Sequence, residues 1–199
     1  MSTDGVDTSR RRFLTVATSV VGAVGTVGLA IPFISSMNPS ARAKAAGAPV
    51  EVDISKLEPG GIMTVEWRGK PVWVVRRTPE NMKDLEAMAS RLTDPNSESG
   101  QQPAYAKNLY RARSDHAEVA VIVGICTHLG CSPKYRPDMA PADLGDDWKG
   151  GFFCPCHGSK FDLAGRVFSG VPAPKNLQIP PYMYLSKSVI LVGKDGGAA

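Results

Sequence analysis

The sequence predicts a mainly β protein in which an N-terminal transmembrane helix precedes an antiparallel β-barrel or sandwich with one helix-loop insertion. Three observations predict this architecture. Residues 13–34 are apolar and uncharged, short strand-like runs with turn residues between them recur over residues 49–193, and the chain of 199 residues holds 20 glycines and 16 prolines. The glycines and prolines favour many turns in a globular chain that is 43% hydrophobic and 21% charged.

The apolar stretch Phe13–Ile34 is 22 residues long. As a helix it would span roughly 33 Å, enough to cross about 30 Å of hydrocarbon. A cleaved export signal would have a similar composition, but its apolar core is usually shorter, and the Ala-Arg-Ala sequence at 41–43, which resembles a cleavage site, lies well beyond the stretch. We therefore expect an uncleaved anchor, with residues 1–12 before it and a flexible linker of small polar residues, 35–49, after it.

The residues before the anchor, SRRRFL at 9–14, resemble the twin-arginine export signal, with Arg10 and Arg11 as the pair. An ordinary positively charged cytoplasmic flank is the alternative interpretation. Both place the N-terminus in the cytoplasm and the residues after the anchor outside it. The overall net charge of +4 is mild and no basic–aromatic pattern is present, so we expect no nucleic-acid binding.

Residues 50–199 are expected to form the soluble domain. Thr78 and Pro79 are typical of a helix start, and apolar residues at helical spacing extend this predicted helix to Leu92. Residues 93–103 have the composition of a loop. The strands are predicted at 49–54, 61–69, 70–78 and 117–126, in short runs over 150–170, and in a closing hairpin at 182–193.

All four cysteines and two of the three histidines lie in two short motifs, CTHLGC at 126–131 and CPCHGS at 154–159. Two thiolates and two imidazoles can hold one tetrahedral zinc ion. Zinc sites usually pair like ligands within a motif, whereas here the cysteine nearest each histidine forms a mixed pair of one thiolate and one imidazole. This pattern suits a binuclear centre in which one metal takes both thiolates and the other both imidazoles. The ligand pairs are Cys126 with His128 and Cys154 with His157.

Together the two motifs resemble those of the Rieske 2Fe-2S protein of proteobacterial quinol–cytochrome c oxidoreductases, the cytochrome bc complexes. The order of anchor, linker and domain is similar too. The resemblance implies a Rieske domain with a small cluster-binding subdomain at about 124–176 and one 2Fe-2S cluster. Carried over, Cys126 and Cys154 ligate the inner iron, and His128 and His157 ligate the outer iron.

Charge explains why such a cluster uses histidines. Two ferric ions, two sulfides and two thiolates sum to zero, whereas an all-cysteine cluster carries two negative charges. The neutral cluster accepts an electron more easily, which places Rieske potentials at roughly −150 to +300 mV against about −400 mV for plant-type ferredoxins. The added negative charge makes the histidines bind protons more tightly, so electron and proton uptake are coupled.

The resemblance implies that the protein transfers electrons from ubiquinol to cytochrome c1 as part of a respiratory enzyme, quinol–cytochrome c reductase, which translocates protons. Cytochrome b and cytochrome c1 would be its partners in a dimeric complex of the bacterial inner membrane, with the Rieske domain in the periplasm. His157, and secondarily His128, would hydrogen-bond the quinol and accept its proton. The alternative is the small Rieske subunit of a periplasmic oxidase such as arsenite oxidase. A zinc-binding or disulfide-stabilised periplasmic binding module without a redox role is a third class.

The remaining site residues follow from the same resemblance. The family joins the other two cysteines, Cys131 and Cys156, in a disulfide, which suits an oxidising exterior. Ser159 matches a serine that hydrogen-bonds a bridging sulfide. Phe161 stands where mitochondrial-type members usually have a tyrosine donor, so we expect a lower potential.

Two further segments are expected to border the cluster. Residues 169–177, with Gly170, Pro172 and Pro174, resemble the proline-rich loop that covers it, although an ordinary proline turn would have a similar composition. Leu129, followed by Gly130, is expected to be an exposed apolar tip that enters the partner's quinol pocket. His116, the third histidine, is expected to be solvated and not a ligand.

Overall fold

The computed structural model describes residue 5 and residues 7–196, with only the backbone at residue 46. The ends of the predicted N-terminal segment 1–12 and of the soluble domain 50–199 therefore lie partly outside the described residues. The chain divides into two compact units, Met1–Ala45 and Ala46–Ala199.

The first unit is helical. Helix α1 spans Thr8–Ser36, and Asp7 caps it by accepting hydrogen bonds from the backbone N–H groups of Ser9 and Arg10. The 29 residues of α1 extend over roughly 44 Å, and an 18-residue window within the stretch Thr8–Ala45 has a mean hydropathy of 1.9. By length and composition this stretch can cross a membrane. A short helix α2, Ala41–Ala46, lies within the predicted linker.

The second unit contains three antiparallel sheets of three strands each, so the predicted mainly β fold is confirmed. The first sheet has the order β1-β9-β8, the second β2-β3-β4 and the third β5-β6-β7. The strands are β1 Val50–Asp53, β2 Ile62–Trp67, β3 Lys70–Arg76, β4 Val119–Val123, β5 Lys134–Met139, β6 Lys149–Cys154, β7 Ser159–Phe161, β8 Tyr182–Ser186 and β9 Val189–Val192.

Several predicted elements differ from the observed ones. Helix α3 spans Pro79–Ala87, and Thr78 is its N-cap as predicted, with a capping box between Thr78 and Asn81. Beyond Ala87 the predicted helix continues only as a 3-10 turn. Strand β4 stops at Val123 instead of reaching residue 126. The run near residue 167 forms only isolated bridges, and β5 was not predicted because its exposed lysine, arginine and aspartate give no strand pattern.

Three buried arginines connect the insertion between β3 and β4 to the rest of the unit. Arg77 donates to the carbonyls of Tyr110 and Ala117 within the insertion and to that of Leu163 outside it. Arg111 donates to the carbonyls of Ala164 and Leu177, which also lie outside the insertion. Burial lowers the pKa of both guanidinium groups to about 10, and the charge of Asp162 opposes this shift. The third, Arg166, forms a buried ion pair with Asp162 and donates to the carbonyl of Leu85 in the insertion. Hydrogen bonds from buried guanidinium groups therefore fix the parts of the insertion that form no helix or strand.

Candidate metal centre

The two cysteine–histidine motifs form tight loops at the ends of strands. The N–H of Gly130 donates to the Cys126 carbonyl at 3.1 Å, and the N–H of Gly158 donates to the Cys154 carbonyl at 2.9 Å. Both glycines have a positive φ, +84° and +78°, which costs glycine little. Each loop thus turns back on its own cysteine and brings the following histidine to the same end of the unit.

Cys126 and Cys154 are free thiols, and both are buried. Burial raises the pKa of the Cys126 thiol, and the neighbouring Cys154 acts in the same direction. A bound cation would reverse this effect, because metal ions hold cysteine as the thiolate. The pair therefore offers two soft ligands in a site from which water is largely excluded.

The two histidines lie side by side, with ring centroids 4.8 Å apart and ring planes at 86°. His157 is exposed and His128 is half-buried. The four candidate ligands thus form two layers, with thiols in the interior and imidazoles toward the solvent. Nitrogen and sulfur donors in this arrangement can hold iron or zinc.

Cys131 and Cys156 form a disulfide, which confirms the pairing that the resemblance implied. The bond joins the two motif loops across 25 residues of sequence. The sulfur atoms of Cys131, Cys154 and Cys156 all lie within 4.8 Å of one another. Because two of these sulfurs are bonded to each other, only Cys154 among the three is available as a thiolate ligand.

The second motif loop also carries the two predicted tuning positions. Ser159 and Phe161 lie in β7 and are fully buried. The Ser159 hydroxyl accepts a hydrogen bond at 3.1 Å from the N–H of Ala173, and its own proton is left for another acceptor. Phe161 packs in the main core and pairs with Phe152 of β6.

The proline-rich segment 169–177 is bonded to both motif loops. Besides the Ala173–Ser159 bond, the Thr127 hydroxyl donates to the carbonyl of Lys175 at 2.6 Å. The sequence pattern predicts no role for Thr127, although this residue lies between the candidate ligands Cys126 and His128. Gly170, Pro172 and Pro174 are all exposed along this segment.

Directly after His128 in the first motif, Leu129 is 71% exposed, and Gly130 beside it is exposed as well. A large apolar side chain in such a position is typical of a contact surface. The exposed ring of His157 and the exposed prolines 172 and 174 belong to the same two loops and the segment bonded to them.

Three residues that were interpreted from the sequence lie away from the candidate metal centre. Arg10 and Arg11 are in the first turn of α1, in the other unit. His116 lies near the end of the insertion and is less solvated than expected: its side chain is 29% exposed and its ring stacks on Tyr184, with ring centroids 4.0 Å apart. Tyr184 provides an apolar face that the sequence pattern did not reveal.

Comparisons with known proteins agree with these features. The family described as Rieske [2Fe-2S] domain matches residues 49–181, and the one described as Ubiquitinol-cytochrome C reductase Fe-S subunit TAT signal matches residues 1–40. The ubiquinol-cytochrome c reductase iron-sulfur subunit of Allochromatium vinosum is 62% identical over 100% of the chain and 95% of its own length. Its counterpart in Blastochloris viridis is 43% identical over 96% of the chain and 97% of its own length. A chain of a hyperthermophilic respiratory complex III is 28% identical, covering 88% of this chain and 98% of its own, with a TM-score of 0.48.

Proposed function

The chain belongs to the family of ubiquinol-cytochrome c reductase iron-sulfur subunits, and we propose on this basis that it takes electrons from ubiquinol and passes them to cytochrome c1. As a family member it is a membrane-anchored Rieske subunit of the cytochrome bc complex with one 2Fe-2S cluster. The observation that carries the proposal is the layered ligand set, two buried free thiols behind two adjacent imidazoles.

This ligand set fits the cluster better than it fits zinc. Cys126 and Cys154 would hold the inner iron, and His128 and His157 the outer one. The separation of thiols from imidazoles supports two metal positions, because a single tetrahedral ion would not need its sulfur and nitrogen ligands in different layers. When bound, the cluster supplies a one-electron acceptor of relatively high potential.

The residues of the chain would then supply the contacts and the proton path. His157, the more exposed imidazole, would hydrogen-bond the quinol and accept its proton, with His128 as the second candidate. Leu129 would seat in an apolar pocket of cytochrome b, since it is an exposed apolar side chain directly after His128, whose ring centroid lies 4.8 Å from that of His157. The proline-rich segment, bonded to Thr127 and Ser159, would exclude water from the remaining side.

Electron paramagnetic resonance of the dithionite-reduced full-length protein tests this function. We expect a rhombic Rieske-type signal that also appears when ubiquinol is the only reductant supplied to the purified complex. Zinc in place of iron by elemental analysis, or a cluster that ubiquinol does not reduce, would contradict the proposal. Co-purification with cytochromes b and c1 tests the partners.

We further propose that Arg10 and Arg11 direct export through the twin-arginine route. The N-terminus would then remain in the cytoplasm and the Rieske domain would lie in the periplasm, on the outer face of the bacterial inner membrane. The disulfide supports an oxidising location for the domain. The complete complex is proposed to be a dimer.

The linker is proposed to let the domain move between cytochrome b and cytochrome c1. Replacing Gly47 and Ala48 with proline would place three consecutive prolines before β1, because Pro49 follows them, and such runs are stiff and extended. We expect this variant to turn over more slowly with an unchanged paramagnetic signal. The matched variant with two serines should keep normal turnover, and equal rates in the two variants would argue against a moving domain.

Phe161→Tyr is expected to raise the reduction potential. A hydrogen bond donated by the tyrosine hydroxyl to a cluster ligand would stabilise the reduced, more negative form of the cluster. One net hydrogen bond contributes about 1 kcal/mol, which corresponds to roughly 40 mV for a one-electron couple at about 59 mV per tenfold change. Redox titration followed by paramagnetic resonance measures the shift.

Phe168→Tyr is the control for this substitution. Phe168 is also buried in the second unit, but it stacks on Trp148 in a separate apolar cluster. We expect its replacement to leave the potential unchanged. If both variants shift the potential equally, or if neither does, Phe161 is not a tuning position.

A further inference from the structure

Trp73 lies in the middle of β3 and contacts the segments that lead into both motif loops. It is 94% buried, with 6% of its surface exposed. Its partners across the sheet are Thr64 of β2 and Ile122 of β4. Trp73 lies 53 residues before the first candidate ligand, so its place in the sequence assigns it no role at the metal centre.

The first contact is with the backbone before Cys126. A Cβ added to Gly124 would lie 2.3 Å from Cε2 of the Trp73 indole, closer than side-chain carbons approach other atoms. Gly124 does not have the positive φ that would itself favour glycine. Its lack of a side chain therefore serves the close approach of the indole to the chain, two residues before the thiol.

The second contact is with the strand that ends on Cys154. The indole of Trp73 stacks on the ring of Phe152, with centroids 4.6 Å apart and planes 10° from parallel. Phe152 is fully buried in β6, two residues before Cys154. One rigid side chain thus touches both segments at equivalent positions relative to the two thiols.

We propose that Trp73 is a positioning residue for the metal centre, which fixes the separation of the Cys126 and Cys154 thiols through the Gly124 backbone and the Phe152 ring. The inference rests on the proposed ligand set. It follows from the two contacts because a tryptophan ring has few internal degrees of freedom and packs as a rigid plate between the sheets. Loss of the ring would let the two thiols move independently of each other.

Trp67 provides a matched comparison within the same sheet. It has the same exposed fraction as Trp73, 6%, and lies in the neighbouring strand β2. Its ring contacts Gly193, near the C-terminal strand, and the guanidinium of Arg68. Trp67→Leu should therefore destabilise the fold about as much as Trp73→Leu without acting on the motif loops.

The experiment compares Trp73→Leu, Trp73→Phe and Trp67→Leu in the full-length, cluster-containing protein. Three quantities are measured: the rate of iron release to an excess of a ferrous-iron chelator, the g-values of the reduced cluster, and the midpoint of thermal unfolding. We expect Trp73→Leu to release iron at least tenfold faster and to shift or broaden the g-values. Trp73→Phe, which keeps a stacked ring, should restore most of the normal behaviour, and Trp67→Leu should change only the unfolding midpoint.

Gly124→Ala tests the same contact without removing the ring. The added methyl group would displace the indole from Phe152, so we expect faster iron release in this variant as well. In the double variant Gly124→Ala, Trp73→Leu the methyl group has room, and the alanine should add little to the effect of the leucine. The single variant Gly124→Ala also keeps the test available if proteins that carry Trp73→Leu do not fold.

Equal acceleration of iron release by Trp73→Leu and Trp67→Leu would overturn the proposal, because it would mean that both residues act only through general stability. Additive effects of Gly124→Ala and Trp73→Leu would overturn it too. Failure of the proposed function is distinguishable from both outcomes, since the unsubstituted protein would then show no Rieske-type signal at all.

Discussion

Full-length protein carrying His157→Asn is expected to contain no 2Fe-2S cluster and to have no quinol oxidation activity. An amide is a poor ligand for iron compared with an imidazole, and His157 is one of only two candidate imidazoles, which lie 4.8 Å apart. The same substitution removes the proposed acceptor of the quinol proton. The loss should appear as absent iron by elemental analysis and an absent paramagnetic signal after reduction with dithionite.

His116→Asn is the matched control for this prediction. His116 is the remaining histidine of the chain, and it stacks on Tyr184 next to the carboxylates of Asp115 and Glu118. Its replacement should leave iron content and signal unchanged. If His157→Asn keeps a normal Rieske signal, the proposed ligand set is wrong. If His116→Asn also loses the cluster, the effect reflects folding and not ligation.

The candidate centre could be predicted from the sequence because its ligands are close together in the chain. Each motif supplies a thiol and an imidazole within four residues, and Gly130 and Gly158 allow the turns that present them. The anchor was predictable for a similar reason, since an uncharged run of 22 residues has few alternatives. Both features depend on local spacing, which a sequence displays directly.

The parts that could not be predicted depend on contacts between distant residues. Trp73 meets Gly124 and Phe152 only because β3 pairs with β4 and packs against β6. Thr127 bonds the carbonyl of Lys175, 48 positions away. Partners of this kind are set by sheet register and loop course, and neither can be read from hydrophobic periodicity.

The insertion between β3 and β4 is the clearest case. Residues 93–103 have the composition of a loop and no element is predicted over residues 104–116, yet this second stretch carries Arg111, which is completely buried and donates to backbone carbonyls. An arginine in a sequence predicts a surface position, because burial of its charge is favourable only when several hydrogen-bond acceptors surround it. The tertiary structure provides those acceptors, and the segment is ordered by hydrogen bonds instead of by an apolar stripe.

Arg166→Met is expected to lower the free energy of unfolding of the second unit by about 3–5 kcal/mol, the cost of leaving one member of a buried ion pair without its partner. The Arg166 and Asp162 side chains are 0% and 1% exposed, and Nε donates to the carboxylate at 2.7 Å. The guanidinium also donates to the Leu85 carbonyl at 2.6 Å, over 81 positions of sequence. Methionine fills similar space but satisfies neither acceptor. Urea unfolding of the full-length protein in detergent, followed by near-ultraviolet circular dichroism, measures the change.

Arg136→Met is the matched control, since Arg136 also forms two hydrogen bonds to one carboxylate, that of Asp143, but at an exposed site. Exposed ion pairs contribute little because water and salt screen them, so this variant should unfold almost as the unsubstituted protein does. Adding Asp162→Asn to Arg166→Met should recover part of the lost stability, because the uncompensated charge is then removed. The prediction is wrong if Arg166→Met lowers the free energy of unfolding no more than Arg136→Met does. The Asp162 carboxylate would then be neutralised without Arg166, by the guanidinium groups of Arg77 and Arg111, which interact electrostatically with it.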